Sequence, residues 1–249
     1  MRQRPGLPTF VTNERFTEGS TYTLGDDDVR HLRVLRLAVG AMVGLRDGAG
    51  LVGRGKLVRF SKGQAHVEIE HVESRVAPPD VHLMVPVADR DRLLWLAEKA
   101  GEFACTSWRP VLWRRSRSVA PRGEGPAFQA KVRARMAGAL AQSQGAWLPQ
   151  IFPEANLERA LLAAPPGDRI VLDADGESLI GSVSARLTPP VIIAIGPEGG
   201  IEDDELAMVV AAGFRMASIG AGILRFETAG VAALSIVRTA LHAPVPVLS

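Results

Sequence analysis

Two glycine-bearing stretches hold the residue types from which a ligand site is built. One, IGPEGG at residues 195–200, follows the apolar run PVIIAI and precedes an acidic helix start, Glu202, Asp203, Asp204 and Glu205. The other, SIGAGILRFETAG, occupies residues 218–230. Glycines between a strand and a helix let backbone N–H groups close on a ligand. A phosphate brought to the first stretch would meet Glu198 and the acidic row, so its chemistry is not that of a phosphate cradle. Both stretches follow predicted strands, and α/β sheets bind ligands at the carboxyl ends of their strands. If the two strands are neighbours, the loops line one crevice with apolar walls from Ile195, Ile219, Ile223 and Leu224 and carboxylates at Glu198 and Glu227. Such a crevice suits a neutral or cationic, adenine-like ligand better than a polyphosphate. The same glycines also serve tight strand-to-helix turns with no ligand at all.

Other chemistries lack their signatures. There is no GxGxxG fingerprint, no GxxxxGK[ST] loop, no GxSxG elbow and no HExxH helix. His31, His66, His71, His82 and His242 are scattered without metal-ligand spacing, and Cys105 is the single cysteine, so neither a metal site nor an intrachain disulfide is expected. A chain of 249 residues, 47% hydrophobic, has the material for a sizeable core in one or two domains. The opening MRQRPGLPTF lacks the apolar core of a signal peptide and no run approaches bilayer length, which predicts a soluble cytoplasmic protein.

The elements that must position these loops fall into two parts. Residues 1–74 read as a small β-barrel: short Val- and Leu-rich runs separated by Asp47-Gly48 and Lys62-Gly63 turns. Ahead of the runs, GDDDVRHLRVLRLAVG predicts a helix capped by an aspartate and closing near Gly40, with Val29, Leu32 and Leu35 buried and Arg30, Arg33 and Arg36 exposed. RVAPPD at residues 75–80 is the expected linker. From residue 80 to 249, strands alternate with helices, which means an α/β domain with a mostly parallel sheet. The helix DRDRLLWLAEKAGEFA is expected to bury Leu93, Leu94, Ala97 and Ala100. The last helix is apolar on nearly all sides and needs cover from its own domain or a second subunit. Net charge is only +2, but a basic segment runs from Arg109 to Arg135 with one acid, Glu124; it reads either as a solvated loop or as a nucleic-acid surface.

The pair IGPEGG and LRFETAG, with HLRVLR and GLRDG near the N-terminus, resembles the RsmE family of the SPOUT methyltransferases over nearly the whole chain. The resemblance implies an α/β, SPOUT-type trefoil-knotted C-terminal domain after a PUA-like barrel. It implies S-adenosylmethionine as cofactor, a homodimer, and methylation of N3 of one uridine in small-subunit (16S) ribosomal RNA, either free or in the 30S subunit. By the family pattern the cofactor would lie on Leu172, Ile195, Gly196, Pro197, Gly199 and Gly200 from one side, and on Ile219, Gly220, Ile223, Leu224 and Thr228 from the other. Arg225 would sit nearest the transferred methyl, with Glu198 as the nearest candidate base. Arg4, Arg33, Arg36, Arg114, Arg115 and Arg117 are the expected RNA contacts, and no metal or membrane is implied. The chain departs from the pattern at AQSQG (residues 141–145), where EQSGR is usual, at KAGEFA (residues 99–104), where KATELG is usual, and at Phe226. Three rival readings are a noncatalytic RNA-binding or ribosome-assembly protein on this fold, a SPOUT methyltransferase with another RNA target, and an unrelated small-molecule α/β enzyme.

Overall fold

The structure is a computed structural model that describes residues 7–118, 122–184, 187–220 and 222–242. Arg4 lies outside these residues, and the side chain of Arg117 is likewise outside them. Contacts divide the chain into two compact units, one running to Ala77 and taking in Ala137–Leu148, the other comprising Pro78–Met136 and the chain from Pro149 onward.

The first unit begins with β1 (Thr9–Val11), β2 (Thr21–Leu24) and α1 (Asp26–Val34), and continues through β3 (Met42–Arg46), β4 (Leu51–Ser61) and β5 (Gln64–Ser74). Its five strands are ordered β1-β3-β4-β5-β2. The long hairpin β4–β5 turns through Lys62-Gly63, with Gly63 at φ +72°, as a two-residue connection requires. Alternate residues of both strands point inward, so Leu57, Ala65, Val67 and Ile69 join Phe10, Leu24, Val43 and Leu45 in one core. Helix α1 covers that core with Val29 and Leu32.

The end of α1 differs from the sequence expectation in an instructive way. The helix stops at Val34, and Leu35, placed on the buried stripe by periodicity, is 42% exposed. The Leu37 N–H reaches back to Leu32 O and the Arg36 N–H to Arg33 O, with Arg36 at φ +55°. That is a Schellman closure with arginine, not glycine, in the left-handed position. The N-terminal cap is Gly25, without a side-chain cap, rather than an aspartate; Asp26, Asp27 and Asp28 instead fill the first turn, where they complement the helix dipole.

In the second unit β6 (Val81–Pro86) leads through α2 (Arg90–Glu102) to β7 (Ser107–Leu112), a 3-10 turn (Arg114–Ser118) and α3 (Gly125–Ser143). Then come β8 (Gln150–Ile151), β9 (Ala155–Asn156), α4 (Leu157–Leu162), β10 (Asp168–Ser178), α5 (Leu179–Ser184), β11 (Val191–Ile195), α6 (Asp203–Ala211), β12 (Arg215–Ser218) and α7 (Phe226–His242). The sheet order is β12-β10-β11-β6-β7-β8, with β9 paired to β7, and every pairing in it is parallel. The expected α/β domain with a parallel sheet, following a small β domain in the sequence, is therefore present. Strand β11 is central and buried at all five residues, which explains its uninterrupted apolar sequence.

Helix α2 is capped by Asp89, whose carboxylate accepts from the Asp91 and Arg92 N–H groups. Its buried face is Leu93, Leu96, Ala97 and Ala100; Leu96, not Leu94, completes the i, i+3, i+4, i+7 stripe. Helix α7 lays Phe226, Gly230, Ala233, Leu234 and Val237 inward. A Cβ at Gly230 would stand 2.9 Å from Ile195 Cδ1 and 3.0 Å from Leu96 Cδ1, so α7 approaches β11 and α2 at glycine distance. The helix also buries Arg238, whose guanidinium donates to the carbonyls of Pro79, Phe103 and Ala104. Sequence periodicity did not anticipate a charge in the most apolar helix, nor the short helix α5.

Candidate functional site

The ends of three parallel strands decide where the two glycine loops meet. Leu172 of β10 is level with Ile195 of β11 on one side and Ala217 of β12 on the other. The strands that carry the loops are therefore not neighbours, as the sequence reading supposed; β10 lies between them. Both loops nevertheless line one cleft, and Asp173, Ala174 and Asp175, within β10 where its register with β12 shifts, complete its lining. The cleft encloses about 580 Å³, within the ~300–1,000 Å³ usual for small-molecule sites. A larger hollow on the first unit, about 940 Å³, is lined by Glu14, Arg15, Asp26, Asp27, Asp28 and Arg30 among other mostly polar residues, and has no comparable apolar wall.

The local sequence explains the loop shapes. After β11 the chain turns with Gly200 at φ +79°, and a Cβ on Gly196 would meet Ile201 Cγ1 at 2.6 Å, so Ile201 packs over backbone that only glycine leaves free. Glu202 and Glu205 then close α6 with a reciprocal capping box. After β12 the chain passes Ile223, which is 94% exposed, and Leu224 before entering α7. Those side chains stand on the cleft rim, where an apolar or aromatic ligand face would cover them.

Charges are arranged unevenly around this frame. Arg92, on the first turn of α2, lines the cleft with its Nη1 3.4 Å from Glu198 Oε1 and its Nε 3.8 Å from Glu227 Oε1. The second oxygen of Glu227 is buried and has no hydrogen-bond partner. Arg225 also lines the cleft, is exposed, and among the described residues is paired with no carboxylate. The role of bracing Glu198 and Glu227 is filled by Arg92. Outside the cleft, Arg114 pairs with Glu202 and Asp204 while its backbone N–H donates to Glu205 Oε1. The hydrogen bond from Arg114 holds the Asp204 carboxyl below the usual range, and the same contacts raise the guanidinium above its own. Arg115 donates from Nη1 to Gly199 O at 2.7 Å and lies 3.4 Å from Glu202. The acidic helix start that argued against phosphate is thus met by the basic segment itself.

Of the residues expected at the cofactor, Leu172, Ile195, Gly196, Pro197, Gly200, Ile219, Gly220, Ile223 and Leu224 line the cleft, as do Arg225 and Glu198. Gly199 and Thr228 are not part of its lining; Gly199 turns its carbonyl to Arg115, and Thr228 is exposed on α7. Sequence reasoning missed Arg92, Asp173 and Asp175. Arg92 reaches the cleft because β6 pairs with β11 and α2 follows β6, an adjacency that no local signal carries. Arg33 and Arg36 are exposed on the first unit. Of the three departures from the family pattern, Phe226 lines the cleft, whereas AQSQG and KAGEFA are not part of its lining. AQSQG belongs to the first unit, where Arg46 donates to Gly145 O and Gln144 Oε1 and Gln144 donates to Thr9. KAGEFA forms the far end of α2, where Lys99 pairs with Glu98 and Glu102.

The residues fit a cofactor that carries a purine, hydroxyl groups and a positive centre but no phosphate. Exposed isoleucine and leucine offer a face for the ring, loop backbone offers donors and acceptors, and Asp173 and Asp175 offer acceptors for hydroxyls. Among the described residues, no group of three or more His, Cys, Asp or Glu is placed to hold a metal ion, and no helix is long and apolar enough to cross a membrane.

Comparison with known proteins agrees with this chemistry. Residues 76–238 match the family profile described as an RNA methyltransferase domain, and residues 24–70 one described as an RNA methyltransferase PUA domain. The chain is 26% identical over 238 residues to a ribosomal RNA small subunit methyltransferase E of Synechocystis, covering 93% of this chain and 77% of that one. It is 24% identical to the protein of the same name from Bacillus subtilis, covering 90% and 92%. A crystal structure of ribosomal RNA small subunit methyltransferase E from Neisseria gonorrhoeae, bound to S-adenosyl methionine, is 28% identical with a TM-score of 0.84, covering 94% of this chain and 98% of that one. A structure from Legionella pneumophila, 24% identical, shares the fold with a TM-score of 0.82 over 94% and 98%.

Proposed function

This chain belongs to the RNA methyltransferase family, with a PUA domain of that family ahead of the methyltransferase domain, and on that premise we propose that it methylates N3 of one uridine in small-subunit ribosomal RNA with S-adenosylmethionine as donor. The observation that carries the reading is the convergence of three neighbouring parallel strands on a cleft walled by Ile195, Ile219, Ile223 and Leu224 and edged by carboxylates. The relative of known structure bound to S-adenosyl methionine supports the choice of cofactor.

When bound, the cofactor supplies an electrophilic methyl on a sulfonium. The chain must seat it, extrude the uracil and manage one proton. Leu172, Ile195, Gly196, Pro197 and Gly200 hold one side of it, and Ile219, Gly220, Ile223 and Leu224 the other. Uridine N3 is an imide nitrogen that carries a proton near neutral pH, so bond formation from N3 to the methyl carbon requires that proton to leave. Arg225, exposed on the cleft rim and paired with no carboxylate among the described residues, stabilises negative charge developing on the uracil oxygens. Glu198, the candidate by family motif, is the proposed acceptor of that proton. Excluding water from an oriented pair of reactants supplies much of the remaining rate.

Arg33 and Arg36 contact RNA phosphates in this reading. Both are exposed, and Arg36 holds the left-handed position of the closure at the end of α1. Arg4, Arg114, Arg115 and Arg117 are the other proposed RNA contacts. A homodimer, a cytoplasmic setting and a division into a barrel of residues 1–74 and a methyltransferase domain of residues 80–249 complete the reading. The decisive experiment is calorimetric titration with S-adenosylmethionine followed by radiolabelled transfer to small subunits that lack the methyl group. Label mapped to one uridine N3 supports the function. Binding without transfer to subunits, naked rRNA or transfer RNA points to a noncatalytic scaffold, and no binding removes the cofactor assignment.

A further inference from the structure

We propose that Arg92 is a positioning residue for methyl transfer, the tie that sets the two cleft loops against each other; this rests on the methyltransferase reading. Three elements far apart in sequence meet at its guanidinium: the first turn of α2, the loop after β11 through Glu198, and the first turn of α7 through Glu227. Glu198 lies in the loop expected to hold one side of the cofactor, while Glu227 follows Arg225 by two residues. A planar fork that serves both carboxylates therefore fixes the distance between the cofactor loop and the arginine beside the reacting base.

Among the described residues no other cation pairs with Glu198 or Glu227. Arg225 pairs with neither carboxylate among the described residues. Glu227 has one oxygen 3.8 Å from Arg92 and the other buried without a partner, so loss of the guanidinium strands a largely buried charge beside a second carboxylate. The strain falls on the loops rather than the core, because the Arg92 side chain is one-third exposed and its backbone is held independently by Asp89. A shift of about 1 Å between the cofactor and the base is enough to cost on the order of a hundredfold in rate.

Full-length protein, S-adenosylmethionine and small subunits lacking the methyl group provide the test, with Arg92→Gln, Arg92→Lys and the double variant Arg92→Gln/Glu227→Gln. Arg92→Gln is expected to lower kcat at saturating cofactor by about tenfold or more while KM for the subunit stays within about twofold. The double variant is expected to be no slower than Arg92→Gln, since residues acting as one unit are not additive. Arg92→Lys is expected to recover only part of the loss, because an ammonium lacks the fork. Unchanged kcat in an active, folded Arg92→Gln protein overturns the proposal, and so does a loss confined to the subunit KM, which would make Arg92 an RNA contact. If Arg92→Gln does not fold, Arg92→Lys carries the same kcat and KM criteria. A wild-type chain with no transfer removes the methyltransferase reading and this inference together; an active wild type with an unaffected variant removes the inference alone.

Discussion

Arginines on the cleft rim and arginines in the basic segment have the same side chain and opposite circumstances. Arg225 is exposed at the cleft with no carboxylate on it among the described residues, whereas Arg114 is held by Glu202 and Asp204 and Arg115 by Gly199 O and Glu202. In sequence the second group looked the more available, because seven arginines and lysines follow Arg109 with only one acid among them. Folding brings the acidic start of α6 onto Arg114 and Arg115, so charge that seemed free is engaged, while the arginine two residues before Glu227 is left to act. What an arginine does is set by which carboxylates the fold delivers to it, not by its neighbours in the chain.

The largest expected effect tests the free member of this contrast. Arg225→Ala should lower kcat by about a hundredfold or more, the usual cost of removing a donor to developing negative charge, while cofactor affinity measured by calorimetry changes little. Arg225→Lys should fall between, since charge is kept without the fork. Equal turnover in wild type and Arg225→Lys would remove the fork from the mechanism.

Next comes the frame that holds the rim. Gly196→Ala places a Cβ 2.6 Å from Ile201 Cγ1, and the loop or Ile201 must move. A shift of that kind costs typically ~1–3 kcal/mol, so S-adenosylmethionine affinity by calorimetry should weaken about tenfold. Unchanged affinity would show that the first loop does not touch the cofactor.

The engaged arginines give a smaller, directional effect. Replacing Arg33 and Arg36 with Gln should flatten the slope of log K against log salt for single-stranded RNA by about 1.4, two contacts at ~0.7 each. Arg114→Gln/Arg115→Gln should flatten it less, because RNA must first displace Glu202, Asp204 and Gly199 O. Equal flattening would mean the basic segment exchanges its carboxylates for phosphates on binding.

The smallest effect concerns an arginine given over to structure. Arg238 is buried on three carbonyls, and burial holds its pKa below the ordinary value. Burial beside it pushes the Cys105 thiol from 9.0 up to about 12. A raised folded-state pKa contributes stability below the unfolded value that is lost as pH climbs toward the folded one. Stability by urea melts should therefore decline between pH 9 and 12, by at most about 1.4 kcal/mol per pH unit from this group, and Cys105→Ala should show a shallower decline. Folded protein should also resist alkylation near pH 8.

Much of this was legible before folding was considered. The β11 sequence, apolar at all five positions, reads directly as a buried central strand, and the two glycine loops identify the cleft that nine of the eleven expected cofactor residues line. Turn chemistry at Lys62-Gly63 marked the long hairpin. Legibility failed where a residue's environment comes from elsewhere in the chain. Leu35 fits the helical stripe of α1 but lies beyond a closure made by Arg36, an uncommon residue for that backbone. Arg92 is separated from Glu198 by 106 positions and from Glu227 by more, so no local window contains the contact.

The sequence by itself determined the class of most elements, the two glycine loops and the phosphate-averse chemistry between them, because hydrophobic period, turn residues and fixed charge are local properties. Tertiary structure alone decided that β10 stands between the two loop-bearing strands, that Arg92 holds Glu198 and Glu227, and that Arg114 and Arg115 meet the acidic helix. Strand order and long-range charge pairing depend on how buried apolar faces pack together, and one-dimensional spacing does not contain that arrangement.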